Sequence, residues 1–265
     1  NTLILTIEDP LVQNTTYEIA LNNCIKDLNE GNLLDSLNYI FSTSEKMDTL
    51  NLTGNLQDAY TLDPLNSAWI MLFHETKNDS LIFKETPDYI AKTDKDGNFS
   101  FPNLNASNYK IVALTDLDFI YNEEEKIAFN TVNINAEKDS FISLLAFNPS
   151  IQNSAGDSTI IPPGGQENDS LLLGKEEYGT VIIITSESYP CIFQLFQKNT
   201  LIKEWSFIEK PFLLDNIVPG QYQLKFIHDA DQNGEWTSGN WENKTLPEKV
   251  LNYPAEITIR RNWDL

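Results

Sequence analysis

With 265 residues, of which 41% are hydrophobic and 11% aromatic, the chain can bury more than one core, and its size favours two or three β domains over one. A formal net charge of -21 and a pI near 4.3 argue against nucleic acid, whose phosphates need clustered Lys and Arg, and against electrostatic docking on anionic lipid. No apolar run approaches the roughly 18 residues of a membrane span, and no signal peptide is legible.

The chain opens at Asn1 inside a strand-like run, TLILTI, so an upstream segment is expected, and with it a targeting signal. Strand candidates occur next at 15–21 and 37–42, separated by the polar loop NNCIKDLNEGN. Three strands do not close a sandwich, which makes this segment the tail of a larger domain. Residues 14–43, NTTYEIALNNCIKDLNEGNLLDSLNYIFST, resemble the final strands of bacterial Ig-like domains.

From residue 50, LNLTGNLQD reads as a strand, Pro64 fixes a turn at 61–66, and a strand is expected at 68–74. Asp96-Gly97 is a hairpin turn signal. The stretch 99–118, FSFPNLNASNYKIVALTDLD, has an ungapped partner at 212–231, FLLDNIVPGQYQLKFIHDAD. On that offset Phe99 matches Phe212, Phe101 matches Leu214, Asn103 matches Asn216, Leu104 matches Ile217 and Tyr109 matches Tyr222, while Asp116 and Asp118 fall on Asp229 and Asp231. Each copy reads as an alternating strand, an apolar plug, a turn and a second alternating strand, in short a β-hairpin. TVNI and FISLLAF add strands, giving about seven at sandwich spacing. Gly54, Asp58, Pro64, Leu65, Ala68, Thr93, Asp94, Asp96, Gly97, Phe99, Phe101, Asn103, Leu104 and Tyr109 carry a pattern that resembles the carboxypeptidase-regulatory-like, or transthyretin-like, domain over 50–148. That resemblance implies a fold and no chemistry.

Residues 148–170 are rich in Pro, Gly, Ser and Asn and read as a linker or loop. GTVIIIT, CIFQLFQ, IKEWSFI, the second repeat copy and EITIRRNWDL then give a further sandwich, with Pro219-Gly220 at the repeat's turn. The expected fold class is all-β, as tandem β-sandwiches: a partial bacterial Ig-like domain at 1–45, a transthyretin-like (prealbumin-like) sandwich at 46–148, a linker or loop at 149–170 and a second such sandwich at 171–265. Taken whole, and above all at 247–265, the chain is similar to multidomain Ig-like lipoproteins of Bacteroidota.

Chemistry is sparsely supplied. Cys24 and Cys191 lie far apart and read as unpaired small core residues. His74 and His228 are the only histidines, and no nucleophile elbow, zinc-binding motif or phosphate-cradling glycine loop occurs, so the chain reads as a non-enzyme. The best candidate site is 229–236, DADQNGEW, whose D-x-D-x-N-G spacing would place Asp229, Asp231, Asn233 and the backbone of Glu235 around Ca2+; Glu242 stands two residues late for the twelfth position. The first repeat copy has Ile120 and Tyr121 in place of Asn233 and Gly234, so a metal site would belong to the last domain alone. Turn formation accounts for the same residues without a metal. Trp236 and Trp241 bracket this loop and could contact a glycan or a partner, or pack over the sandwich end. Glu123 to Glu125 read as solvated surface. Asn51-Leu-Thr and Asn98-Phe-Ser are sequons, and Asp48-Thr49-Leu50, Asp79-Ser80-Leu81 and Asp169-Ser170-Leu171 fit a short O-glycosylation pattern of the clade resembled. The resemblance implies a non-enzymatic lipoprotein, held at the outer membrane by an N-terminal lipid and serving as a scaffold or subunit among other envelope proteins. The alternative is a glycan- or ligand-binding module.

Overall fold

The computed structural model describes residues 4–8, 10–21, 24–27, 29–34, 37–78, 84, 86–115, 121–122, 124–149, 178–184 and 189–261. Among these residues every regular element is a strand. Residues 150–170 of the expected linker at 149–170, the repeat's Asp116 and Asp118, and the Asp79 and Asp169 triplets lie outside the described residues.

Strands β1 (Thr16–Ala20) and β2 (Asn38–Ser42) pair antiparallel, Tyr17 stacking on Phe41 across the ladder. Of the run expected as a strand at 2–7, residues 4–7 have no regular structure. Continuous apolarity is a weak strand signal where no partner ladder takes up the backbone. Asp48, two residues before the first sandwich begins, is tied back to this pair, accepting from Thr16 N at 3.2 Å and donating its own N–H to Thr16 Oγ1 at 2.8 Å.

The first sandwich is built of β3 (Leu50–Asp58), β4 (Trp69–His74), β5 (Tyr89–Lys92), β6 (Asn98–Leu104), β7 (Asn108–Leu114), β8 (Ile127–Phe129), β9 (Ile134–Asn135) and β10 (Phe141–Ala146). One sheet runs β10-β3-β6, with β10 parallel to β3; the other runs β5-β4-β7-β8, with β9 also on β7. Between them Leu52, Leu56, Phe99, Phe101, Leu104 and Leu144 meet Ile70, Leu72, Tyr109 and Ile111 in one buried cluster. Each such side chain contributes about 1.5–3 kcal/mol through the apolar area it removes from water.

The second sandwich has β11 (Gly179–Ile183), β12 (Cys191–Gln197), β13 (Thr200–Phe207), β14 (Phe212–Ile217), β15 (Gly220–His228), β16 (Val250–Asn252) and β17 (Ile257–Ile259). Sheet β11-β14 faces sheet β13-β12-β15-β16, with β17 also on β15. Lys198 and Asn199, both left-handed, form the two-residue turn between β12 and β13 that matches strand twist.

The repeat is carried in three dimensions. Asn103 and Asn216 both take a left-handed backbone (φ 58° and 54°), Leu104 and Ile217 are both buried plugs, and Tyr109 and Tyr222 are both buried. Each tyrosine hydroxyl reaches back four residues, Tyr222 to the main-chain oxygen of Val218 at 2.7 Å and Tyr109 to the side-chain Oδ1 of Asn105, with Asn105 O at 3.4 Å, in the manner of the tyrosine corner of sandwich folds. The copies are not hairpins, however. β6 pairs with β3 while β7 pairs with β4, and β14 pairs with β11 while β15 pairs with β12. The left-handed Asn and the inward plug turn the chain across the core, so each copy is an arch joining opposite sheets. Asp96-Gly97 likewise links strands of opposite sheets, with Gly97 at φ 78° against Leu56 O. Cys191 is buried in the second core, as expected; Cys24 is exposed, because the β1–β2 pair builds no closed core around it.

Candidate functional site

The two sandwiches differ most between β15 and β16. Tyr109 pairs with Ile134 and Tyr222 with Ile257, so the segment after the second arch is ten residues longer than that after the first. This longer loop, 229–249, carries the Asp-rich tip and both candidate tryptophans.

Asp229 enters the loop from β15 and is buried; its Oδ1 accepts from Asn233 N and its Oδ2 from Gly234 N, both at 3.1 Å. Asp231 accepts from Asn233 N at 3.1 Å and from Thr237 Oγ1 at 2.8 Å. Left-handed Gln232 and Gly234 allow the chain to double back in this tight turn. Glu248, arriving just before β16, folds its carboxylate under the tip, with Oε1 accepting from Ala230 N at 2.6 Å and Oε2 from Thr237 N at 3.0 Å. Asp229, Asp231 and Glu248 thereby bring one oxygen each within 4.8 Å of one another. Burial pushes the Glu248 carboxyl above its ordinary value; the backbone N–H groups of Thr237, Ala230 and Asp231 oppose that shift, while the charge of Asp231 adds to it. Asn233 Oδ1 accepts from Glu235 N at 2.7 Å, and Glu235, expected to contribute its main-chain carbonyl, has an exposed side chain. Sequence spacing therefore finds Asp229 and Asp231 but misses Glu248, which is nineteen positions on from Asp229 and marked by no motif. Three converging carboxylate oxygens are the donor set that suits a hard divalent cation.

Trp236 and Trp241 are half-buried between the sandwiches. Trp236 packs on Tyr60 (ring centroids 5.1 Å apart) and donates its indole N–H to Glu248 O at 3.1 Å. Trp241 stands edge-on to Phe129 at 5.1 Å. Between them Gly239 lies so close to Phe147 that a Cβ would stand 2.6 Å from the ring, and Ser238 Oγ donates to Asn148 O at 2.9 Å. The insertion thus covers Met71, Phe73, Val112, Leu114, Phe129 and Phe147, the outward faces of β4, β7 and β8 and their neighbour. This explains the unbroken apolar runs WIMLF and IVAL, whose strands are buried on both faces.

The seam is reciprocal. Tyr60 and Leu62, in the loop after β3, pack on Ile192, Ile227 and Val250 of the second sandwich. Tyr60 hydroxyl donates to Gln194 Oε1 at 2.9 Å, Asn252 Nδ2 to Thr61 O at 3.2 Å, and Lys225 Nζ to Tyr60 O at 2.8 Å while lying 3.8 Å from the Tyr60 ring centroid. Burial would raise the Asp58 carboxyl, but the Lys126 ammonium at 2.6 Å and the N–H groups of Thr61 and Tyr60 outweigh it and hold Asp58 below its ordinary value.

Burial pulls the Lys225 ammonium down to about 8, with the carboxylates of Asp58 and Asp63 opposing. The native chain therefore releases this proton before the unfolded chain does, and stability should rise as pH climbs from about 8 toward 10.5. The rise attributable to Lys225 is expected on the order of 2 kcal/mol. Urea titrations across that window should show it in the native protein and show a flatter profile for Lys225→Met; parallel profiles would refute the assignment.

The histidines offer no comparable convergence. His74 has a hydroxyl at each ring nitrogen, Thr76 at 3.0 Å and Ser107 at 3.2 Å, and His228 stands edge-on to Tyr189. Glu124 and Glu125 line an open hollow of about 660 Å³ at the rim of the first sandwich, with Thr115 and Lys126. Among the described residues, no helix is long and apolar enough to cross a membrane.

Fold and seam together define a tandem all-β protein whose sandwiches are locked by an insertion in one of them. No protein-family model matches the chain, and no curated protein does. Among solved structures it is similar to the minor pilin of Streptococcus agalactiae (12% identity, 82% of this chain and 93% of that one, TM-score 0.28). It is also similar to a DUF3823 family protein from Bacteroides uniformis (6%, 80% and 100%, 0.27). A third likeness is to a protein of Bacteroides uniformis for which carbohydrate binding is a suggested role (11%, 78% and 99%, 0.27). At these scores the likenesses carry no argument about this chain, whose all-β architecture rests on its own sheets.

Proposed function

We propose that the protein is a non-enzymatic structural module of the cell envelope, held at the outer membrane through an N-terminal lipid and joined to other envelope proteins by its sheet edges and loops. The observation that supports this reading is the seam. The aromatic residues best suited to a ligand platform, Trp236 and Trp241, are spent on fixing one sandwich to the next, as a spacer or scaffold requires. A glycan contact through those rings would first require the seam to open. A native pull-down from solubilised membranes with this chain as bait tests the proposal: co-purification of defined envelope proteins is expected, and recovery of the chain alone would count against it.

A second proposal concerns the loop that makes the seam. We infer that Asp229, Asp231 and Glu248 hold Ca2+, because their oxygens converge within 4.8 Å at the base of the tip. Millimolar Ca2+ is expected to raise the melting temperature by several degrees, more than Mg2+ does, through mass action on the folded state. Glu248→Gln should abolish most of that rise. An equal rise in the variant would refute the site.

A further inference from the structure

The two sandwiches are equivalent position by position around their smaller sheets. Leu50, Leu52 and Gly54 of β3 pair with Leu104, Phe101 and Phe99 of β6. Gly179, Val181 and Ile183 of β11 pair with Ile217, Leu214 and Phe212 of β14, which are the repeat partners of those three residues. Both ladders shift register after the first pair. β11 is therefore the counterpart of β3.

Their surroundings differ in two respects. β3 is a central strand, since its second edge is covered by β10, which runs parallel to it from Phe141 opposite Thr53 to Ala146 opposite Asp58 and inserts Ile142 and Leu144 into the core. Among the described residues, β11 has β14 on one edge and no strand on the other. The outward faces also differ. Thr53 and Asn55 of β3 have as counterparts Ile182 of β11 and Ile184 just past its end, which are 45% and 93% exposed, with Leu213 opposite Ile182 on β14 at 46%. An edge strand that remains in water is normally blunted by charge, proline or a twist. Among the described residues no strand takes up the main-chain groups of this edge of β11, and isoleucine flanks it.

We propose that the outer edge of β11 receives an extended strand from a partner polypeptide, apolar at alternate positions in the manner of β10 and running parallel to β11. The added strand would supply the third strand that the smaller sheet of the first sandwich already has. Main-chain hydrogen bonds would give affinity, and apolar side chains entering beside Val181 and Leu214 would give selectivity. The inference rests on the scaffold reading and names the surface that reading uses. β10 itself shows which kind of sequence fits, and it supplies the probe.

The test uses the full chain and a fluorescein-labelled synthetic peptide with the sequence of residues 139–147, DSFISLLAF, read by anisotropy, with a scrambled peptide as control. Saturable binding of the probe, at least tenfold tighter than of the scramble, is expected, as is slowed amide exchange over 179–183. Ile182→Asp together with Ile184→Asp, both at exposed positions, should weaken binding at least tenfold without changing the melting temperature by more than about 2 °C. Absence of saturable binding, protection mapping to β13 or β5 instead of β11, or binding unchanged by the double substitution would each overturn the proposal. A pull-down that recovers partners while the peptide fails would leave the scaffold reading standing and remove this edge from it.

Discussion

Gly54→Val is expected to destabilise the first sandwich by about 3–4 kcal/mol, enough to unfold a marginal domain. Gly54 sits mid-strand in β3 with β10 on one side and β6 on the other; a Cβ there would collide with Ile142 O and with the ring of Phe99, which lies across the glycine. One obstacle is main chain in a sheet, so it cannot give way as a flexible side chain could. Its counterpart Ile183 is tolerated because the edge of β11 lacks a neighbour equivalent to β10 among the described residues. Urea unfolding followed by tyrosine and tryptophan fluorescence should show the loss, with Gly54→Ala intermediate. A Gly54→Val protein as stable as the parent would mean that β10 does not pack against β3 at this point.

The second large effect is expected at the seam. Trp236→Ala with Trp241→Ala removes the two rings that cover the outer faces of β4, β7 and β8, and half-buried tryptophans lost from such a position cost about 2–3 kcal/mol each. More informative than the sum is the shape of the transition. Calorimetry of the parent should show both sandwiches melting together, and the double variant should resolve two transitions because the coupling between units is gone. One coincident transition at an unchanged temperature would show that the tryptophans do not couple the units. Gly239→Leu offers an independent check, since it drives a side chain into Phe147 without deleting any contact.

The sequence was a good guide where physics is local. Alternation over LNLTGNLQD places β3, and the coincidence of Asn103 with Asn216 and Tyr109 with Tyr222 marks one local unit used twice, because a left-handed backbone and a hydroxyl bonded back to its own corner are local requirements. It misled where the decision lies between partners far apart in the chain. An alternating strand, a turn and another alternating strand read the same for a hairpin as for an arch, and only pairing to β3 and β4, or β11 and β12, tells them apart. Glu248 escaped for the same reason: it reaches Asp229 and Asp231 because β16 returns beside β15, a pairing no spacing rule contains. The residues WIMLF did carry a trace of the seam, since a strand apolar on both faces must be covered on both, but not the identity of the cover.

The asymmetry of the repeat has a consequence for assembly. Two identical units, each offering a gripping loop and a face that such a loop fits, would be free to associate head to tail without limit, because a heterologous contact closes only when geometry happens to form a ring. Here the long loop belongs to the second unit and the face it covers to the first, so the match is consumed within one molecule. The ten added residues turn what could have been a polymerisation contact into a self-terminating one, and leave growth of any larger assembly to other surfaces.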